Sequence, residues 1–204
     1  YKDHIEQEFM KKVIGKGYYI NRDEQDDKSI ITKIAKAYYD PAKVKNDKDF
    51  AKLLRENKEI WVTALNIDRE NERPRKDIAK YSDVPSLYNY VLRSTLDMKT
   101  LLNFDAKLKK EDVVNFLKAY KENINLRLDN SEWFAQIKAL AGECGFATDN
   151  KAYKANPENY AGNVADACSI LRVAMTGRNQ SPDLCSILKM LGKKEVEDRI
   201  DYVI

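Results

Sequence analysis

The sequence of 204 residues contains one histidine, His4, and few of the residues that break helices. Seven glycines and five prolines are few for this length, and their scarcity favours long helices over an all-β fold. A single imidazole also limits catalysis, because a Cys–His or Ser–His pair would require His4 to reach a distant nucleophile. The glycines build no phosphate-binding loop, dinucleotide fingerprint or nucleophile elbow. The sequence therefore predicts no catalytic residues.

Cysteines and long apolar runs are scarce as well. Cys144, Cys168 and Cys185 are too far apart for a zinc site, and each falls at an apolar helical position. We therefore expect small buried thiols, no metal site and a reducing, cytoplasmic setting. No apolar run approaches the roughly 20 residues of a membrane span, so we expect no membrane association.

The charges of the chain nearly balance. Lys and Arg number 36 against 33 Asp and Glu, which gives a formal net charge of +3. Such a chain has no strong positive field of its own, so any binding of nucleic acid must come from local patches. Charged residues make up 34% of the sequence, which is typical of helices with well-solvated outer faces.

Apolar residues recur with helical spacing along the chain and predict an all-α fold. Amphipathic helices are predicted over residues 3–14 and from Ser29 to Tyr38. Residues 111–124 predict another helix, with Val114, Leu117 and Tyr120 on its inner face. Either Asn130 or Ser131 is expected to cap the next helix, which presents Trp133, Ile137, Leu140 and Cys144 on one face.

Three further segments shape the predicted organisation. Pro74 interrupts any helix around it and can begin a new one that runs through Ile78. Residues 146–162 are polar and are expected to form a long loop. A polar joint near residues 103–110 predicts two helical subdomains, which we place at residues 1–105 and 106–204.

The segment from Leu171 to Gly192 predicts two helices joined by a polar corner. The first can end at Gly177, because glycine adopts the left-handed conformation of a C-cap at little cost. Ser181 stands where an N-cap belongs, Pro182 fits the first position of the second helix, and Gly192 ends that helix. The apolar positions of the two helices are Leu171, Ala174, Met175, Leu184, Ile187, Leu188 and Leu191.

This corner and the charged segment after it resemble the C-terminal anticodon-binding region of bacterial-type glutamyl-tRNA synthetases. The family pattern is an LR-x-A-x-TG helix end, an SP helix start, an LLGK stop and a charged final helix. The matching residues are Leu171, Arg172, Ala174, Thr176, Gly177, Ser181, Pro182, Leu191, Gly192, Lys193 and Arg199. Arg73-Pro74-Arg75 is similar to an RPR element in the first of the family's two helical anticodon-binding subdomains.

The resemblance implies a two-part helical cage around the anticodon loop of tRNA-Glu, whose bases are splayed apart and read on their edges. Arg75 matches the family arginine that reads the third anticodon base, a C. Arg172 matches the arginine near the first base, and Ser181 and Leu184 match positions that line the pocket for the first two bases. A monomer is expected.

Each of these residues also has a structural interpretation. Arg172 can be a solvated helix residue, and Arg75 can be a surface charge beside Glu72. Ser181 can be occupied as an N-cap, and Leu184 can belong to the core. The sequence alone leaves both interpretations open.

The catalytic part of a synthetase is missing from this sequence. The family's Rossmann domain and its HIGH and KMSKS signatures for ATP are absent, so we expect no cofactor here. ATP and Mg²⁺ would belong to the full-length ligase, and the first residue, Tyr1, fits a piece of a longer protein. The near-neutral charge supports a rival hypothesis, a helical protein-interaction module without a nucleic-acid role.

Overall fold

A computed structural model of the chain describes residues 56–69, 71–75, 77–78 and 84–204. The helices predicted at residues 3–14 and 29–38 lie outside these ranges. Two compact units divide between Thr95 and Leu96, and each is described by itself. The boundary between residues 105 and 106 stays a prediction.

The described residues are helical, which confirms the predicted all-α fold. They contain no β-strand, only an isolated parallel bridge between Ala147 and Asn163. Short 3₁₀ helices cover Asn89–Val91, Met98–Leu102 and Pro157–Asn159. The α-helices are α1 (Lys58–Asn66), α2 (Val84–Leu87), α3 (Lys110–Glu122), α4 (Asn130–Glu143), α5 (Asn150–Ala155), α6 (Val164–Thr176) and α7 (Leu184–Val203).

Helix α6 is the centre of the second unit. It packs against α3, α4, α7 and the 3₁₀ helix Met98–Leu102. Leu171, Ala174 and Met175, the predicted inner face of α6, are fully buried. Their helical spacing forms an apolar stripe that packs against the neighbouring helices. The first turn of α6 is fixed by a capping box, in which the side chains of Asn163 and Asp166 each accept a hydrogen bond from the other's backbone N–H.

Helices α3 and α4 pack against α6. The spacing of their apolar residues predicts most of the residues that they bury. Leu117 and Tyr120 of α3 are buried as predicted, but Val113 is buried where Val114 was expected. Phe116 is buried too, and its ring meets Phe146 edge to face with 5.8 Å between centroids. The inner face of α3 therefore keeps Leu117 and Tyr120 but extends to Val113 and Phe116 instead of Val114.

Helix α4 buries Trp133, Ile137 and Leu140 as predicted, while Cys144 is its half-buried C-cap. The predicted caps Asn130 and Ser131 are wrong, because Asp129 is the N-cap. Its carboxylate accepts from the Glu132 N–H at 2.8 Å, and the Glu132 carboxylate accepts from the Asp129 N–H at 3.0 Å. Glutamate stands three residues after Asp129 and not after the other two candidates, so only Asp129 can form this reciprocal pair.

Residues 146–162 contain more helix than the predicted long loop. They contain α5 and the 3₁₀ helix Pro157–Asn159. Asp149 caps α5 by accepting from the Ala152 N–H at 2.7 Å. No side chain of α5 is buried, so this helix lies on the surface of the unit.

The last helical run, α7, has a kink at Gly192, whose φ of 78° and ψ of 159° are not helical. The helix end predicted at Gly192 is therefore confirmed, and a second helical stretch follows the kink and reaches Val203. Among the described helices, none combines the length and the apolar character that crossing a membrane requires.

In the first unit, α1 buries Trp61, Ala64 and Leu65 on one face. Tyr88 and Tyr90 are also buried, and their rings stack with 5.9 Å between centroids. The helix predicted from Pro74 is wrong, because the described residues among 71–78 have no helical hydrogen bonding. The backbone of Arg75 instead bonds to Asp68 and Arg69, which follow the end of α1.

Candidate nucleic-acid interface

The segment after α1 folds back around Arg69, whose side chain is only 1% exposed. Asp68 has a left-handed backbone with φ of 62°, which turns the chain sharply. The Arg75 N–H then donates to the Asp68 carbonyl at 3.2 Å. A guanidinium nitrogen of Arg69 donates to the Arg75 carbonyl and so holds the other side of the same residue.

Asp77 joins this cluster through both of its carboxylate oxygens. Oδ1 accepts from Arg69 Nη2 at 2.7 Å, and Oδ2 accepts from the Tyr88 hydroxyl at 2.8 Å. Oδ2 also lies 3.0 Å from Nε of Arg75, in an ion pair. Arg75, the predicted reader of the third anticodon base, is therefore fixed at its backbone and at its side chain.

The electrostatics of the cluster keep Asp77 charged. Burial raises the pKa of Asp77, but the hydrogen bond from Arg75 and the positive charge of Arg69 outweigh it and hold that pKa below its usual value. Burial, together with the neighbouring carboxylate, also raises the pKa of Tyr88, so its hydroxyl stays a donor. At neutral pH the cluster has two guanidinium groups around one carboxylate.

The second unit forms the corner predicted between α6 and α7. Gly177 ends α6 with φ of 70°, and its N–H donates to the Val173 carbonyl at 2.7 Å. The C-cap predicted at Gly177 is confirmed. The Thr176 hydroxyl donates to the Arg172 carbonyl at 2.8 Å and accepts from the Arg178 N–H at 3.2 Å. These bonds lead the chain into the exposed residues Asn179 and Gln180.

Two of the predicted site residues meet at this corner. Arg172 Nε donates a hydrogen bond to the Ser181 hydroxyl at 3.0 Å. The same hydroxyl donates to the Pro182 carbonyl at 2.8 Å. The interpretation of Ser181 as an N-cap is wrong, because Asp183 is the N-cap of α7 and accepts from the Ser186 N–H at 2.8 Å. The Ser181 side chain instead orients Arg172.

Leu184 is the first residue of α7 and is 2% exposed. It therefore packs in the core beneath the corner. Arg75 belongs to the other compact unit. The structure brings Arg172 and Ser181 into direct contact and places Leu184 at the start of the same corner's second helix.

Arg199, a residue of the family pattern, is fully buried. Its Nε donates to Glu195 Oε1 at 2.7 Å, and a terminal nitrogen donates to the Met175 carbonyl in the last turn of α6. Basic groups are favourable at helix C-termini, where carbonyl groups lack helical partners. Arg199 therefore links α7 to the end of α6 and supports the corner from within.

Sequence reasoning missed the residues that hold Arg75, namely Arg69, Asp77 and Tyr88. A pattern search gives Arg69 no special status, because an arginine after a helix normally lies on the surface. The nearest signal was Asp77 itself, a carboxylate only two residues after Arg75 in the sequence.

Neither thiol chemistry nor a metal site is found in the described ranges. Burial raises the pKa of Cys144, Cys168 and Cys185, which disfavours the nucleophilic thiolate. No group of three or more possible ligands is placed to hold a metal ion in that part of the chain.

Comparison of the sequence with known proteins identifies the family of this chain. A family model described as an anticodon binding domain matches residues 55–204. The chain is 35% identical over 156 residues to a glutamate–tRNA ligase of Clostridium perfringens (strain 13), and the match covers 76% of this chain and 29% of that protein. It is 32% identical over 157 residues to a glutamate–tRNA ligase of Acetivibrio thermocellus, covering 77% of this chain and 28% of that protein.

The chain thus spans less than a third of the length of these relatives. No solved structure gave a significant match. The similarity confirms the predicted resemblance to the anticodon-binding region of glutamyl-tRNA synthetases. Because the family model covers well over half of the sequence, the chain belongs to the anticodon binding domain family.

Proposed function

We propose that this chain reads the anticodon of tRNA-Glu as one part of a glutamate–tRNA ligase. The observation that carries the proposal is the pairing of Arg172 with Ser181 at the corner between α6 and α7. The bond fixes the arginine beside an exposed polar link, where unpaired bases can reach it. Arginine suits this role because its planar donors match the acceptors on base edges.

Each site residue takes a distinct part in this proposal. Arg75 reads the third anticodon base, and Arg172 lies near the first. Ser181 orients Arg172 through its hydroxyl, and Leu184 supports the pocket for the first two bases from the core side. ATP-dependent attachment of glutamate to the tRNA would take place in the rest of the ligase, where ATP and Mg²⁺ would bind. The chain acts as a monomer in the cytoplasm.

Binding of unmodified tRNA-Glu transcripts to the 204-residue chain tests the proposal. Loss of one base-edge contact costs roughly 1–3 kcal/mol, so Arg75→Ala should remove most of the preference for C over U at the third anticodon position. Arg172→Ala should reduce the preference at the first position. Arg127→Ala, at an exposed arginine between α3 and α4, is the control and should leave both preferences unchanged.

The base preferences at the first and third anticodon positions decide whether the proposed roles of Arg172 and Arg75 are right. If changing the third base weakens wild type and Arg75→Ala equally, the role given to Arg75 is wrong. If the wild-type chain binds all anticodon variants alike, the chain does not read the anticodon.

A further inference from the structure

We propose that Asp77 is the residue that positions Arg75 for base reading. The inference rests on the proposed function of Arg75 and adds a residue that the family pattern does not supply. It also assigns a purpose to the cluster of Arg69, Asp77 and Tyr88, which lies behind the reading arginine.

Asp77 is itself held in place by two hydrogen bonds. Its Oδ1 accepts from Arg69 at 2.7 Å, and its Oδ2 accepts from the Tyr88 hydroxyl at 2.8 Å. The side chain of Asp77 is 17% exposed, and that of Arg69 is 1% exposed. A carboxylate fixed by two buried donors keeps its place, whereas one on an open surface would lose side-chain entropy in order to form an ion pair.

Asp77 in turn restrains the guanidinium group of Arg75 at its Nε. Asp77 Oδ2 lies 3.0 Å from Arg75 Nε, and the backbone N–H and carbonyl of Arg75 are bonded to Asp68 and Arg69. A guanidinium is planar, so an ion pair at Nε limits the directions in which the terminal nitrogens can point. Restraining those directions before binding reduces the ordering cost of a base contact.

The cluster around Asp77 keeps a net positive charge. Arg69 and Arg75 together place two positive charges around the single carboxylate of Asp77, which leaves the three groups with a formal net charge of +1. Asp77 therefore orients Arg75 without cancelling the attraction of the cluster for an anionic RNA loop. A purely neutralising pair would leave no net attraction.

The experiment measures how strongly C is preferred over U at the third anticodon position of tRNA-Glu transcripts. Asp77→Asn keeps the shape of the side chain but removes its charge and one acceptor. We expect it to lower the preference roughly fivefold or more, since one oriented base contact accounts for about 5- to 150-fold. Asp149→Asn makes the same change at the exposed N-cap of α5, outside the cluster, and should leave the preference unchanged.

A double-mutant cycle separates positioning from general weakening of the fold. In an Arg75→Ala background, Asp77→Asn should change the preference no further, because the group that it orients is gone. If Arg75→Ala abolishes the preference and a folded Asp77→Asn retains it, the positioning role is overturned while the proposed function stands. If the wild-type preference does not depend on Arg75, the proposed role of Arg75 fails, and this inference fails with it.

Thermal unfolding of each variant checks that the fold is intact. Should Asp77→Asn fail to fold, Asp77→Glu replaces it in the same measurements, because its longer side chain keeps the charge but displaces the carboxylate. A folded Asp77→Glu with the full wild-type preference overturns the proposal. A folded Asp77→Glu with a reduced preference and near-wild-type affinity for the U-containing transcript supports it.

Discussion

Gly177 is restricted to glycine by two independent features of the corner. Its φ of 70° lies in the left-handed region, which residues with a Cβ adopt only at a cost. A Cβ added there would also overlap the Thr100 hydroxyl and lie 2.6 Å from the Thr100 Cβ. The close approach of Thr100 brings the 3₁₀ helix Met98–Leu102 against the end of α6, so this single residue determines how tightly the corner is packed.

Gly177→Ala should therefore destabilise the protein more than an alanine at another left-handed glycine. Gly145 is the matched control, because its φ is 84° and a Cβ there would meet no atom within 4 Å. We expect Gly145→Ala to lower the free energy of unfolding by about 1–2 kcal/mol, and Gly177→Ala by about 2–5 kcal/mol once overpacking is added. Urea unfolding of both variants measures the difference. Equal losses would show that the contact with Thr100 yields without cost.

The helices show which features of an element its sequence can predict. Helical spacing identified the buried faces of α4 and α6, because a core selects apolar residues by period. The caps were harder to predict, since Asp129, Asn130 and Ser131 stand in a row and all three types cap well. At α7 the cap predicted at Ser181 lies at Asp183, and the Ser181 hydroxyl instead accepts a hydrogen bond from Arg172 of another helix.

The caps of α4 and α5 should differ in their effect on stability. Asp129 caps a helix with four buried residues, whereas Asp149 caps the short α5, which buries none. We expect Asp129→Ala to lower the free energy of unfolding by about 1 kcal/mol. Asp149→Ala should change it by less than about 0.5 kcal/mol, because α5 can fray without opening the core. Chemical denaturation measures both, and a larger loss for Asp149→Ala would contradict this account.

At the scale of the whole chain, the sequence predicted the helical class and the corner of the second unit better than it predicted the surroundings of Arg75. The corner is local, and its helix end at Gly177 follows from backbone preference. The cluster around Arg75 joins Arg69 to Asp77 across eight positions and Asp77 to Tyr88 across eleven. Arg69, Asp77 and Tyr88 do not belong to one helix or strand, so periodicity cannot relate them and only the folded chain reveals their contacts.

The near balance of charge makes salt dependence a sharp test of what the chain binds. With a net charge of +3, RNA must be held through local contacts such as those proposed for Arg75 and Arg172. Contacts of arginine or lysine with phosphates release counterions, so affinity for RNA falls with added salt. Neutralising about four phosphates costs roughly 50- to 150-fold in affinity between 50 and 200 mM salt. We expect a loss of that order for the tRNA-Glu transcript.

An unrelated RNA hairpin of equal length separates general attraction from anticodon reading. Its affinity should fall with a similar slope, because phosphate contacts are independent of sequence. The preference for C over U at the third anticodon position should change much less with salt, since base-edge hydrogen bonds release few counterions. An affinity for the transcript that stays constant across this range would contradict RNA recognition and favour a helical module that docks on other proteins through apolar surface.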